Sequence, residues 1–134
     1  MDQSAASSEW RLGIVGAFMS VKPAFDAIHE LHVVGLSRTW LGFFQLSTNT
    51  GGTATLDAEW EGDPLDAEGV FTMRNGLQHP LSDSLRRRGV PAAAAFRFTR
   101  YGPPQGIVVV VDAKDRVDEA TGILARHGGR LASA

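Results

Sequence analysis

The sequence predicts an α+β domain: a ferredoxin-like split βαβ sandwich with a hairpin and helix region inserted between its two halves. Three observations lead there. Residues 14–35 and 107–128 share one layout at a constant offset of 93. Ile14 meets Ile107, Val15 meets Val108, Ala27 meets Ala120, Leu31 meets Leu124 and Gly35 meets Gly128, with Asp26 opposite Glu119. These matches fall where a strand, a buried helix stripe and a helix-ending glycine would put them. The region between the repeats reads as a hairpin rather than as crossovers, which favours an antiparallel sheet over a doubly wound parallel one. Finally, 134 residues suit a single domain with a real core.

The first half is expected over 12–47, the insert over 48–106 and the second half over 107–134, behind a disordered segment at 1–9. An apolar strand opens the first half at Leu12–Met19. A helix follows over Val21–Val34, with Ser20 as N-cap and Pro23 tolerated in the first turn. At 100° per residue Ala24, Ala27, Ile28, Leu31 and Val34 form one stripe, while Asp26, His29 and Val33 point away. Gly35 then ends the helix. Trp40–Ser47 reads as an aromatic-rich strand, joined by the glycine-bearing loop 48–52 to Thr53–Trp60. That second strand alternates, with Ala54, Leu56, Ala58 and Trp60 on one face and Thr53, Thr55, Asp57 and Glu59 on the other.

Glu61–Pro64 is a turn, and Val70–Met73 is either a short strand or loop. Leu81–Arg88 reads as a helix ended by Gly89. Two readings compete for Pro91–Tyr101: an initial proline with four alanines favours helix, and the alternation from Phe96 favours strand. Ile107–Asp112 is the most β-prone segment. Asp115 is the expected N-cap of the last helix, whose stripe Val117, Ala120, Thr121 and Leu124 repeats that of the first. A short edge strand within Arg130–Ala134 closes the chain.

Composition excludes several classes. Without cysteine there is no disulfide, thiolate nucleophile or thiolate zinc site. A formal charge of −2 gives no bulk attraction to nucleic acid or to an anionic membrane, and no apolar run approaches a bilayer span. The amino terminus lacks the pattern of a signal peptide, so a cytoplasmic protein is expected.

The stretch LRRRGVPAAAAFRFTRYGPPQGIVVVVDAKDRVDEATGILARHGG resembles the bacterial general stress (heat-induced stress) protein family. The pattern is carried by Gly89, Pro91, Ala95, Phe98, Gly106, Val108–Val111, Asp115, Glu119, Ala120, Ile123, Leu124, His127 and Gly128. The opening strand and helix, with Val15, Phe18, Ala24, Ala27, Leu31 and Gly35, resemble that family's amino terminus. The resemblance implies a small stress-associated binding or interaction protein, and it favours helix for Pro91–Tyr101. The chain departs from the family in its acidic hairpin segment Thr53–Glu68 and in Pro103–Pro104.

Candidate chemistry is sparse. His29 and His32, three apart on a helix, are one residue short of the H-E-x-x-H zinc pattern and read as surface residues. Asp57, Glu59, Glu61, Asp63, Asp66 and Glu68 place six carboxylates in twelve residues without calcium-loop spacing, as on a solvated strand face. Arg86, Arg87 and Arg88 form the main basic cluster, suited to phosphate or to an acidic segment of a second copy. No phosphate-binding glycine pattern or nucleophile elbow is present.

The expected ligand or partner surface is therefore drawn from Trp40, Phe43, Phe44 and Trp60, of which adjacent Phe43 and Phe44 point to opposite faces so that one of them lies on the sheet face left open opposite the two helices, together with Arg86, Arg87 and Arg88. No catalytic residue, metal site or cofactor is assigned. The expected role is a non-enzymatic, stress-associated module that self-associates, as a homodimer or with another protein, through that face or a strand edge. The alternative is a regulatory domain binding a small molecule in an aromatic-lined cleft; a cofactor-free enzyme is the third reading.

Overall fold

A computed structural model describes residues 10–47, 53–62, 72–74, 79–101 and 105–131. The segment 1–9, the hairpin loop 48–52 and the acids Asp63, Asp66 and Glu68 lie outside them. The elements run β1 (Gly13–Phe18), α1 (Val21–Val33), β2 (Thr39–Ser47), β3 (Thr53–Glu61), β4 (Thr72–Arg74), β5 (His79–Pro80), α2 (Leu81–Arg87), α3 (Ala92–Tyr101), β6 (Gln105–Asp112), α4 (Val117–Arg126) and β7 (Arg130–Leu131). The fold is α+β. One antiparallel sheet has the order β4-β3-β2-β6-β1-β7, with β5 also paired to β3.

The two repeats meet at the centre of this sheet. β1 and β6 pair so that Ile14 faces Val111 and Phe18 faces Ile107. The repeat offset carries the first pair onto the second, so the halves are related by a local two-fold. Each helix lays its stripe on the same side: Ala24, Ala27, Ile28 and Leu31 of α1 and Ala120, Ile123 and Leu124 of α4 are buried in one cluster with Leu41, Val109 and Val111. Val33 and His29 face solvent, as the periodicity requires. Gly35 and Gly128 follow the two helices with φ of +95° and +89°, the left-handed geometry that ends a helix without a Cβ penalty.

Two helix starts differ from expectation. Ser20 occupies the N-cap of α1 with extended backbone, yet its side chain makes no capping bond. α4 begins at Val117 rather than behind an Asp115 cap, because a turn closes first through Arg116 N–H to Ala113 O at 2.8 Å. Lys114 takes a φ of 57° in that turn.

The opposite sheet face is not open. The helical reading of Pro91–Tyr101 holds as α3, and α2 and α3 together cover that face. Leu81 and Leu85 of α2 and Ala95 and Phe98 of α3 are buried against Val15, Trp40, Phe44, Leu56, Val108 and Val110. The expectation of a free face opposite α1 and α4 is corrected here. Four alanines and a Phe96/Phe98 pair look like generic helix, and only the docked packing shows that Phe98 turns inward while Phe96 stays 57% exposed.

Strict alternation along β3 is also corrected. Phe43 pairs with Ala58 and the next residue, Phe44, pairs with Leu56, so Asp57 is an extra residue on β3. Such a bulge shifts the side-chain phase by one. Ala54 and Leu56 join the α2–α3 side, whereas Trp60 packs with the α1–α4 core.

Candidate functional site

The bulge at Asp57 decides which side chains meet at one end of the sheet. Glu59 and Glu61, expected on a solvated face, are instead brought to the side that holds Trp40 and the end of α2. Trp40 Nε1–H donates to Glu59 Oε1 at 2.9 Å. Arg88, just past α2, places its guanidinium carbon 4.2 Å from the Trp40 ring centroid, a cation–π geometry. Its Nη2 lies 3.6 Å from both Glu59 Oε1 and Glu61 Oε2, and its Nη1 donates to Ser84 O at 2.9 Å. Arg88 and Glu59 side chains are each 12% exposed, whereas Glu61 is 53% exposed. Burial pushes the Arg88 guanidinium below its ordinary pKa, against the opposing pull of Glu59 and Glu61.

The seven predicted surface residues thus separate into four places. Trp40 and Arg88 belong to this buried network. Phe44 is a core residue, edge-on to Phe98 at 5.6 Å between ring centroids. Arg86 and Arg87 are exposed at the end of α2. Only Phe43 and Trp60 share a half-buried surface, on the α1–α4 side, where Trp60 lies 5.9 Å from Phe43 and 4.7 Å from Phe25 of α1. Helix contacts to β3 are made chiefly by α2 and α3 on the other side. The sheet outgrows its helix layer at this corner, leaving an aromatic shelf. Phe25 went unnoticed in the sequence because it flanks the α1 stripe without belonging to it.

Beside the network is a cleft of about 410 Å³, walled by Trp10, Ser37, Arg38, Thr39, Glu61 and Gly62. The sequence singles out Trp10 as one of the aromatics that could line a small-molecule pocket and Glu61 as one of six clustered acids, but it does not bring them together with Ser37, Arg38 or Thr39. They come from the chain start, the α1–β2 connection and the end of β3, and no spacing rule links those segments. Their placement is well fixed. Arg38 O accepts from Asp112 N–H at 3.0 Å, and its guanidinium carbon lies 5.9 Å from the Trp10 ring centroid. Thr39 Oγ1 and His32 Nε2 share a hydrogen bond of 2.8 Å. Asp112, buried at the end of β6, accepts from the N–H groups of Arg11, Leu12 and Lys114, which anchors the strand entry next to Trp10.

His29 is exposed, and no group of three His, Asp or Glu side chains among the described residues is arranged to hold a metal ion. No described helix is long and apolar enough to cross a membrane. No family model matches the chain, and comparisons with curated proteins and with solved structures give no match either.

Proposed function

We propose that this chain is a cytoplasmic, stress-associated interaction module that self-associates through the aromatic shelf of Phe25, Phe43 and Trp60. A strand order in which β6 runs between β1 and β2 while β1 runs between β6 and β7 supports reading its halves as a ferredoxin-like split βαβ sandwich. The hairpin strand β3 extends that core sideways, and the α2–α3 pair closes the second face. The stress association rests on the sequence pattern of the two halves.

The observation that carries the interaction reading is the half-covered aromatic group at the corner where the sheet passes beyond α1. Aromatic side chains give large contact area with little rotamer entropy to lose, so three together where α1 meets the sheet favour a protein partner. A second copy is the occupant with a matching patch, because a two-fold contact brings each shelf against its own equivalent. Both sheet edges are poor candidates for such pairing. Among the described residues β7 has two and β4 three, lengths that blunt strand addition.

Sedimentation velocity tests this reading. The unaltered chain is expected to sediment as a dimer, and Phe43→Arg or Trp60→Arg as a folded monomer by circular dichroism. A monomeric unaltered chain at high concentration overturns it.

A further inference from the structure

We infer that an apolar pocket at the outer edge of β1 is a binding site for a small uncharged molecule that is mostly hydrocarbon. The pocket shares no residue with the aromatic shelf of Phe25, Phe43 and Trp60, so its occupancy is independent of self-association there.

The pocket forms because the sheet and its two helix layers end at different places. Among the described residues β7 pairs only with Gly16 and Ala17, which leaves Leu12–Val15 as a floor without an outer strand. Elements on both faces border that edge. Val90 and Pro91 before α3, with Ala94 inside it, line one side, and Val117 and Thr121 of α4 line the other, joined by Leu131 of β7. Val15 and Val90 are buried in the α2–α3 cluster, whereas Ile14, Val117 and Leu131 pack against the α1–α4 cluster. A space of about 260 Å³ is thus walled by both layers around one strand edge.

The chemistry of the lining selects the ligand class. Apart from Thr121 it consists of aliphatic side chains, proline, alanine and glycine, and it contains no charged residue. An ionised group inside would lose hydration with no opposite charge on the walls to replace it. An apolar molecule removes its own surface and that of the walls from water, and supplies dispersion contacts that solvent gives poorly. Size narrows the class. A dry aliphatic cavity of about 150 Å³ takes benzene, so this larger pocket has room for a substituted ring or an alkyl chain of about eight carbons. Strand addition by a protein is disfavoured at this edge, because the Gly13 N–H already donates to Gly89 O at 3.0 Å.

The walls are set before a ligand arrives. Leu12 O accepts from Ala113 N–H at 3.0 Å, Val90 N–H donates to Leu85 O at 3.2 Å, and Ala95 N–H donates to Pro91 O at 2.9 Å. Gly13, Ile14 and Val15 are held in register with Asp112, Val111 and Val110 of β6. Little conformational freedom is left to lose on binding.

The test is a calorimetric and methyl-NMR titration of the full chain with toluene, cyclohexanol and 1-octanol, with octanoate and octylammonium as charged comparisons. At least one neutral probe is expected to saturate and to raise the unfolding midpoint in proportion to its occupancy. It should shift the methyl signals of Ile14, Val90, Val117 and Leu131 ahead of all others. Octanoate and octylammonium are expected to bind about tenfold or more weakly than 1-octanol. Ala94→Phe, at a half-buried position on one wall, should weaken the best probe by a similar factor by filling the space. The methyl map on the unaltered chain decides the matter irrespective of that variant's stability. Absence of saturable binding overturns the proposal. So do shifts centred on the aromatic shelf, octanoate binding as tightly as 1-octanol, or binding that appears only after residues 132–134 are deleted, since the chain itself would then be the occupant.

Discussion

Glu59 accepts the indole N–H of Trp40 at 2.9 Å across neighbouring strands, although unbroken alternation would put its carboxylate on the other side of the sheet from Leu56. The same Glu59 oxygen faces Arg88 at 3.6 Å, so one carboxylate ties β2, β3 and the end of α2 together.

Replacing Glu59 by Ala leaves the Arg88 guanidinium largely buried with only the half-exposed Glu61 opposite it. A loss of about 2–4 kcal/mol in unfolding free energy is expected from urea denaturation, because breaking a buried pair strands one charge. The double variant Glu59→Leu with Arg88→Met should recover much of that loss, since apolar groups of similar volume remove both charges together.

Glu30 offers a contrast. It joins α1 to α4 by accepting from Arg126 and by sharing a bond with His127 Nε2 at 2.8 Å. These groups are substantially solvated, with Arg126 61% and Glu30 32% exposed. Glu30→Ala is therefore expected to cost no more than about 1 kcal/mol in the same assay, with the difference shrinking at high salt.

Two strand glycines should differ in severity. A Cβ on Gly42 would sit 2.5 Å from Leu56 Cδ1 and 2.6 Å from Trp40 Cη2, side-chain atoms with some freedom to shift. A Cβ on Gly13 would sit 2.2 Å from the backbone oxygen of Arg88, which cannot move without displacing the turn after α2. Gly42→Ala is expected to lose about 1–3 kcal/mol by overpacking. Gly13→Ala should lower the thermal midpoint further than Gly42→Ala does. An equal or reversed order would mean that the turn at Arg88 yields more readily than the Trp40 pocket.

Asp112→Asn tests the anchor beside the cleft. The buried carboxylate accepts three backbone N–H groups at 3.2–3.3 Å, and an amide nitrogen in place of one oxygen turns a donor toward a donor. Stability should fall by about 1–3 kcal/mol. Hydrogen exchange at Arg11, Leu12 and Lys114 should accelerate relative to the centre of β6.

The legible parts of this molecule were those governed by local period and by repetition. Ala27, Leu31, Ala120 and Leu124 lie in the core because helical spacing and the offset between the halves both require it. Gly35 and Gly128 end helices for a reason visible in the residue itself. The bulge was not legible: Asp57 in a run of alternating residues carries no mark of being unpaired, yet it moves Trp60 and Glu59 to opposite sides from those expected. The cover on the second face was equally hidden. Ala95 and Phe98 form a narrow apolar stripe, and their burial depends on how α3 docks rather than on their own sequence. Arg88 reads as the third member of a surface triplet, but the chain turns after Arg87 and carries only that arginine inward.

The interleaving of the two halves constrains how the chain reaches this state. Among the described residues β1 finds its only long strand partner in β6, and β2 finds β6 on one side, so the middle of the sheet waits for a segment made well after β2 and β3. On a translating ribosome, the emerging β2–β3 hairpin and α1 must keep their apolar faces from aggregating until β6 clears the exit tunnel. Holding by a chaperone during that interval would therefore benefit this chain more than one built from successive self-contained hairpins.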